Sequence, residues 1–328
     1  MNKSLTEGKP TNVIAGFCIS VIVISYFCAA PLLACCSLAP ATFSSTLGWV
    51  GETHMNGKLV HILAYQNSAQ NLATDKGKPV GNAMFLPIPA MPGTMTSANI
   101  LDTKLVPSFL DDMQKALSFS KMQGLVALSA GGAVSQSVQV FEHGIYTIVL
   151  ASNATEIPAA LERVPLRKRP QLNKKIFEAY SKWYPHWTFA LCCFDNTESE
   201  HATPMLWWYL PNDPAHLFFP GLDCHTGAVP DLKAAVDVDH FLAASTDQVH
   251  TKWAGLINSG DWIAVTYSPE CPPTGKTKLI RSLLPEKILA KEYSGQLPQG
   301  DFVFDAAKVR NGTAIAVRKL PPGAAPGI

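Results

Sequence analysis

Charged side chains are absent from 27 consecutive residues near the N-terminus, Val13 to Ala39. That absence excludes a segment exposed to water on all sides, and its length exceeds the roughly 20 apolar residues that a helix needs to cross a bilayer. Lys3 and Lys9 precede the segment, whereas the first basic residue after it is Lys58. Because basic residues favour the cytoplasmic side, we expect the N-terminus inside and the bulk of the chain outside.

The uncharged segment has three alternative fates. Leu32–Cys35 has the shape of a bacterial lipoprotein box, in which Cys35 is lipidated and becomes the new N-terminus. Ala39-Pro40-Ala41 offers a small-x-small cleavage site for secretion, and the third alternative is an uncleaved signal anchor that contacts the membrane through residues 13–39. We therefore expect a membrane-anchored or exported protein whose bulk is extracytoplasmic, in the periplasm or at the cell surface.

An excess of either charge is also lacking. Without residues 1–42, which contain Lys3, Lys9 and Glu7, the 26 basic and 25 acidic residues become 24 of each. Arg163 to Lys175 is the one dense basic run, and it is typical of a solvated loop and helix face. A nucleic-acid partner is therefore not expected.

Motifs of common enzymes are missing. The chain has no GxSxG, HExxH or GxGxxG sequence and no CxxC pair. Thr274–Thr277 resembles the end of a phosphate-binding loop, but Glu270 replaces the required glycine and two prolines precede the segment. The sequence leaves enzymatic activity uncertain and favours a protein that is not an enzyme.

Four of the eight cysteines lie beyond the uncharged segment, at Cys192, Cys193, Cys224 and Cys271. In an oxidising compartment these four allow one or two disulfides in three pairings. Cys192 and Cys193 point to opposite faces of a strand, so one bridge is favoured over two. A thiol–disulfide protein with reactive Cys192 or Cys193 is one alternative function.

Frequent prolines and short apolar runs predict an α+β fold of antiparallel or mixed sheets with a few short helices, preceded by one N-terminal membrane or signal helix. The predicted regions are a signal peptide or anchor over 1–42, an α+β domain over 43–220, a β-rich C-terminal region over 221–320 and a disordered tail over 321–328.

Individual elements follow from periodicity. Residues 58–66 and 80–88 predict an antiparallel strand pair, and the aromatic runs 186–194 and 205–210 predict a hairpin. Apolar residues at helical spacing predict a helix from Ser108 to about Ser118 and another beginning near Pro170. Leu284–Glu292 predicts a helix with Pro285 in its first turn.

The best candidates for chemistry are acidic and imidazole side chains in GLDCHTG and VDVDH, namely Asp223, His225, Asp237, Asp239 and His240. Asp-x-His spacing places both side chains on one face of an extended segment, where they can bind a divalent cation. Asp223, His225, Asp239 and His240 are the candidate ligands of a metal-dependent hydrolase with a bound water as nucleophile. The same cluster also fits turn residues or a polar site without metal, and no other cofactor is predicted.

Short motifs over roughly residues 58–220 resemble an uncharacterised family of exported bacterial domains of unknown function. They are the strand end NAMFLPIPAMP at residues 82–92, the strand HGIYTIVL at 143–150, and Tyr180 followed by the WTFA segment at 187–190. The resemblance implies an exported or anchored domain and no known activity. The expected function is thus an extracytoplasmic domain that binds or scaffolds an unknown protein or small-molecule ligand.

Overall fold

The computed structural model describes residues 35–120, 139–247, 257–259, 262–267, 271, 275 and 277–324. The strands in chain order are β1 (Ala41–Met55), β2 (Lys58–Asn71), β3 (Thr74–Asp75), β4 (Lys78–Pro79), β5 (Asn82–Ile88), β6 (Ile100–Leu101), β7 (Gln139–His143), β8 (Tyr146–Ala151), β9 (Thr188–Phe194), β10 (Glu200–His201), β11 (Met205–Tyr209), β12 (His216–Phe219), β13 (Ala235–Thr246), β14 (Ile257–Ser259), β15 (Trp262–Thr266), β16 (Lys287–Pro298), β17 (Asp301–Asp305) and β18 (Ala316–Lys319). The helices are α1 (Phe109–Ser120), α2 (Ile157–Ala160), α3 (Lys174–Trp183), α4 (Ile280–Leu283) and α5 (Ala306–Arg310).

A nine-stranded sheet, here called the large sheet, runs in the order β14-β15-β16-β13-β1-β2-β11-β6, with β10 paired to β2. Its pairs are antiparallel except for β1 and β13, which are parallel. A four-stranded second sheet runs β5-β9-β8-β7, and a three-stranded small sheet runs β12-β17-β18. Strands β3 and β4 form a separate pair.

The large sheet and the second sheet pack on each other, and helices cover their outer faces. One face of the large sheet packs on the second and small sheets through a core that includes Leu63, Trp207 and Phe302. Its other face packs on α1 and α4, and the far face of the second sheet packs on α2 and α3. Because the second sheet is covered on both faces, its strands β5 and β9 are buried at every residue.

The predicted α+β class is wrong, because the described chain is mostly β and its helices are few and short. The predicted N-terminal helix is also not supported. Its last residues lie in the protein body, where Cys36 bridges Cys224 and Ser37 bridges Met84 as isolated β-bridges. Residues 13–34 of that segment lie outside the described residues. In the described ranges, none of the helices combines the length and apolarity required to traverse a lipid bilayer.

Two predicted strand pairs do not form. β2 pairs with β1 and β11, whereas β5 pairs with β9, so residues 58–66 and 80–88 belong to different sheets. The aromatic strands β9 and β11 also belong to different sheets. Strand character was readable from these runs, but the partner of each strand was not.

The prediction of a helix over residues 284–292 is wrong. The predicted helix is the strand β16, which pairs with β13 over ten residue pairs and with β15. Two ladders supply backbone hydrogen bonds to this segment from both sides, and tertiary pairing therefore overrides its weak helical periodicity.

The helix from residue 108 is confirmed by α1, whose apolar face is buried on the large sheet. The helix near Pro170 is confirmed by α3, with Asn173 as its N-cap. The predicted regions on either side of residue 220 share the large sheet. Its four strands from beyond residue 220 and its five strands from before it meet at the parallel pair of β1 and β13. Of the predicted tail, Gly323 donates its N–H to the Trp183 carbonyl, and residues 325–328 lie outside the described residues.

Candidate functional site

The four candidate metal ligands lie in two separate pairs. His225 Nε2 is 3.0 Å from Asp223 Oδ1, with both side chains almost fully buried, although the contact lacks hydrogen-bond alignment. His240 Nδ1 is 3.8 Å from Asp239 Oδ1 on β13. Burial lowers the pKa of His240, which packs between the rings of Phe219 and Phe302.

These pairs do not combine into a metal site. Within the described ranges, no group of three or more histidine, cysteine, aspartate or glutamate side chains is arranged to hold a metal ion. Asp223 instead accepts the Cys35 N–H at 3.3 Å, and its backbone exchanges two hydrogen bonds with the Gln299 side chain. Asp239 accepts the Ser45 N–H. The pairs therefore act as internal braces between chain segments.

The predicted disulfide is wrong. Cys192, Cys193, Cys224 and Cys271 are all free thiols, and no two described cysteines are at disulfide distance. Cys192 and Cys193 point to opposite faces of β9, as expected, and each is sealed in a different hydrophobic core. Burial raises the pKa of Cys192 and raises that of Cys193 to about 12. These shifts favour the protonated thiol, whereas a reactive cysteine requires a lowered pKa.

Cys35, the lipidation candidate, is buried in the core. Its Sγ lies 2.6 Å from the Tyr65 hydroxyl and 2.9 Å from Met84 Sδ. Burial raises the pKa of Cys35 well above the usual value. Lipidation of Cys35 stays a prediction, and it requires this side chain to leave the core.

Outside the core, the outer face of the small sheet borders an open cleft of about 280 Å³. Alternation places Phe218, Val303 and Val317 side by side on this face, while Phe302 and Phe304 point into the core. Trp187 forms one wall, with its ring centroid 4.8 Å from that of Phe218 in an edge-to-face contact. The cleft is lined by Trp187, Phe218 and Val303 together with Pro89, Asn212, Asp213, His216, Asp301, Lys319, Leu320 and Pro322.

An aspartate–histidine pair lies at the rim of this cleft. His216 Nδ1 is 2.7 Å from Asp213 Oδ2, with side chains 39% and 55% exposed. Asp213 also accepts the Ala215 N–H at 2.9 Å. Partial burial opposes ionisation of Asp213, but these two hydrogen bonds outweigh it and hold its pKa below the usual value. The rim therefore carries a negative carboxylate that is fixed in position.

Asp301 lies at the bottom of the cleft and is 2% exposed. It accepts hydrogen bonds from the Gly221 N–H at 2.9 Å and from the Tyr184 hydroxyl at 2.7 Å. Burial nevertheless raises its pKa to about 6. The neighbouring Arg318 stacks on Phe302, and burial lowers its pKa to about 10.

Sequence reasoning missed this cleft. Its residues come from distant parts of the chain, and no local pattern places residues 212–218, 301–303 and 319–322 together with Trp187. The alternation of Asp301, Val303 and Asp305 with two phenylalanines was the one readable signal of a sheet with an open outer face.

Comparison with known proteins leaves the chain without a family. No family model and no curated protein matches it. The resemblance to exported bacterial domains of unknown function therefore stays a prediction.

Solved structures of baculovirus P35 superpose loosely on this chain. A mutated P35 after caspase cleavage superposes with a TM-score of 0.37 and 13% identity over 79% of this chain and 97% of that chain. P35 itself gives a TM-score of 0.35 at 13% identity, over 84% and 91%. P35 in its complex with caspase-8 gives 0.35 at 13% identity, over 84% and 92%. These scores are too low to carry a fold or a function to this chain.

Proposed function

We propose that this protein is a binding protein rather than an enzyme, and that it captures an extended segment of a protein partner at the cleft beside the small sheet. One observation carries the proposal. Strand β18 is an edge strand of the small sheet in the described chain, and it borders a cleft that is lined in part by Trp187, Phe218 and Val303.

The backbone of β18 offers the first half of such a site. Within the described chain, β18 pairs with β17 and with no other strand. Its outer row of N–H and C=O groups can therefore form a ladder with an added strand, which is a common mode of peptide recognition.

Side chains offer the second half. Ile315, Val317 and Leu320 are 45%, 49% and 43% exposed, although all three are large and apolar. An added strand alternates its side chains, so every second residue would face Val317 and the Trp187 wall. Asp213, His216 and Lys319 supply charged groups at the rim that fix orientation.

The composition of the cleft argues against covalent catalysis there. Asp213 and His216 resemble the base and orienting acid of a catalytic triad, but no serine, threonine or cysteine is among the lining residues. The thiols of Cys192 and Cys193 are sealed in the core. Activation of water by His216 is the one hydrolytic role that the geometry allows, and the experiment below tests it.

The test begins with short random peptides displayed on phage and selected on the full-length protein. Affinities of synthetic versions are then measured by fluorescence anisotropy. Val317→Asp and Leu320→Asp should each weaken binding about tenfold or more. Leu320 lines the cleft, and Val317 lies beside the lining residue Val303 on the same face of the small sheet. Leu105→Asp is the matched control, since Leu105 is 44% exposed at a distant site, and it should bind normally.

Peptides methylated on single backbone nitrogens test strand addition itself. Methylation should abolish binding at every second residue, where the N–H faces β18, and should be tolerated between those residues. Three results contradict the proposal: no peptide binds more tightly than about 100 µM, the cleft variants bind normally, or the protein hydrolyses generic ester, phosphate or peptide substrates and His216→Ala abolishes this turnover.

A further inference from the structure

A second exposed feature is the turn Val164–Arg169, which lies away from the cleft in sequence and shares no lining residue with it. Leu166 at its tip is 80% exposed, more than any other large apolar side chain among the described residues. Leu172, a few residues further along the chain, is 49% exposed. A single exposed leucine on a flexible segment is common at protein surfaces and indicates no function. Leu166 therefore indicates a binding site only if its turn is held in one conformation.

Hydrogen bonds hold the turn in one conformation. Lys168 N donates to the Pro165 carbonyl at 2.9 Å, and Arg169 N donates to the Leu166 carbonyl at 3.3 Å. The Arg169 guanidinium closes the loop by donating to the carbonyls of Glu162 and Val164, at 2.6 and 3.2 Å. Leu166 is therefore presented on a pre-organised backbone, which loses little conformational entropy on binding.

The base of the turn is clamped to the protein body. Gly81 forms a β-bridge with Pro170, and a Cβ atom on Gly81 would lie only 2.3 Å from the Lys168 carbonyl carbon. Lys168 is 5% exposed and donates to Glu142 Oε2 at 2.9 Å. The turn is thus fixed from below while its tip remains open.

The run that forms the tip is basic, whereas its acidic neighbours come from elsewhere in the chain, with Asp195 and Glu200 lining the cleft beside Arg167. Residues 163–175 contain six basic residues and no acidic residue. The Arg167 side chain remains 73% exposed although its Nη1 contacts Asp195 Oδ2 at 3.0 Å. Together with Asp195 it lines two clefts, of about 460 and 420 Å³.

Lys174 and Lys175 extend this basic run at a position where a positive charge does not stabilise the helix. They occupy the first turn of α3, where the helix dipole disfavours cations. Both are exposed, and no ion pair neutralises either of them in the described structure.

We infer that the turn is a second docking surface, which binds an acidic segment of a protein partner. Leu166 is the apolar anchor, and Arg167 pairs with a carboxylate of the partner in exchange for Asp195. A nucleic acid fits less well, because single strands are bound by stacking on aromatic rings and the turn presents an aliphatic side chain.

The probes are synthetic peptides, and affinities for the full-length protein are measured by fluorescence anisotropy. The first peptide alternates glutamate with leucine and phenylalanine. A second replaces the apolar residues by serine, and a third replaces glutamate by lysine. A single-stranded DNA oligomer and anionic phosphatidylserine vesicles serve as other polyanions.

We expect the acidic apolar peptide to bind, with added salt weakening the complex because exposed charges are screened. Leu166→Asp and Arg167→Glu should each weaken binding about tenfold or more. Leu72→Asp and Lys104→Glu are matched controls, since their side chains are 47% and 68% exposed elsewhere, and both should bind normally. Val317→Asp should also bind normally, which separates this surface from the peptide cleft.

Three results would overturn the inference. The first is no binding of the acidic apolar peptide below about 1 mM. The second is binding that survives Leu166→Asp in a protein shown by circular dichroism to be folded. The third is equal binding of the serine peptide, the DNA or the vesicles, since that would show attraction by charge alone.

Discussion

Two aspartate–histidine pairs in this protein have similar geometry and opposite surroundings. Asp223 and His225 are 3.0 Å apart with side chains 3% and 2% exposed, whereas Asp213 and His216 are 2.7 Å apart with side chains 55% and 39% exposed. Both pairs lie in turn-rich sequence next to proline or glycine. Burial rather than distance distinguishes them.

The consequence of burial is that the same residue types do different work. The buried Asp223 carboxylate accepts a hydrogen bond from the Cys35 N–H. It thereby joins the start of the described chain to residues 223–225. The Asp213 carboxylate is open to solvent at the mouth of a cleft. A histidine beside an aspartate in the sequence is therefore evidence of function only once its exposure is known.

The largest expected effect comes from breaking the buried pair. Asp223→Ala leaves the Cys35 N–H without its acceptor in the interior and removes the buried carboxylate that lies 3.0 Å from His225 Nε2. We expect it to lower the free energy of unfolding by about 4 kcal/mol. Asp213→Ala removes an exposed pair and should cost less than about 1 kcal/mol. Urea denaturation of both variants measures the difference, and equal losses would contradict the assignment of structural and surface roles.

A second, smaller effect concerns Asp301, which is buried like Asp223 but lines the cleft like Asp213. Its folded pKa of about 6 lies above the usual 3.8, so the folded state binds the proton more tightly than the unfolded state. The stability that this group contributes is therefore full below about pH 4, declines as the pH rises to about 6, and is constant above that. The total decline is at most about 3 kcal/mol.

Asp301→Asn tests this dependence, because the amide does not titrate. The free energy of unfolding of the variant minus that of the wild type should increase between about pH 4 and 6 and then level off. Denaturant titrations across this range measure it. A difference that is independent of pH would show that Asp301 is ionised in the fold throughout.

The smallest effect on stability is expected at Gly81, which supports the exposed turn from inside. Gly81→Ala forces its Cβ against the Lys168 backbone and should lower the free energy of unfolding by about 2 kcal/mol. It should also displace Leu166 and weaken binding at the turn. Gly275→Ala is the control, since no atom lies within 4 Å of its Cβ position. Similar stability of the two variants would mean that the turn is loosely attached.

Local patterns were enough to locate several elements. Apolar residues at helical spacing predicted α1 and α3, and both helices are present, the second with Asn173 as its N-cap. The basic run 163–175 was predicted to be solvated, and most of it is exposed, although Lys168 is buried against Glu142. Burial of one lysine within a basic run depends on a glutamate 26 residues away, which no local pattern reports.

The candidate site could not be found in the same way. Asp223, His225, Asp239 and His240 attracted attention by spacing, yet spacing along the chain does not determine which turns face each other. The cleft joins residues from position 89 to position 322, and its lining comes from five separate stretches of the chain. The uncharged run that predicted a membrane helix ends, within the described residues, as extended chain in the core.

Sequence by itself determined the near-neutral charge, which depends only on composition. It also determined the strand character of most apolar runs and the helices α1 and α3, because these depend on neighbours within a few residues. Tertiary structure alone decided the strand partners, the conversion of residues 287–298 into a strand, and the burial of the thiols and of Asp223. The physical reason is that hydrogen-bond pairing and removal from water are properties of groups distant in the chain, and a local pattern contains neither.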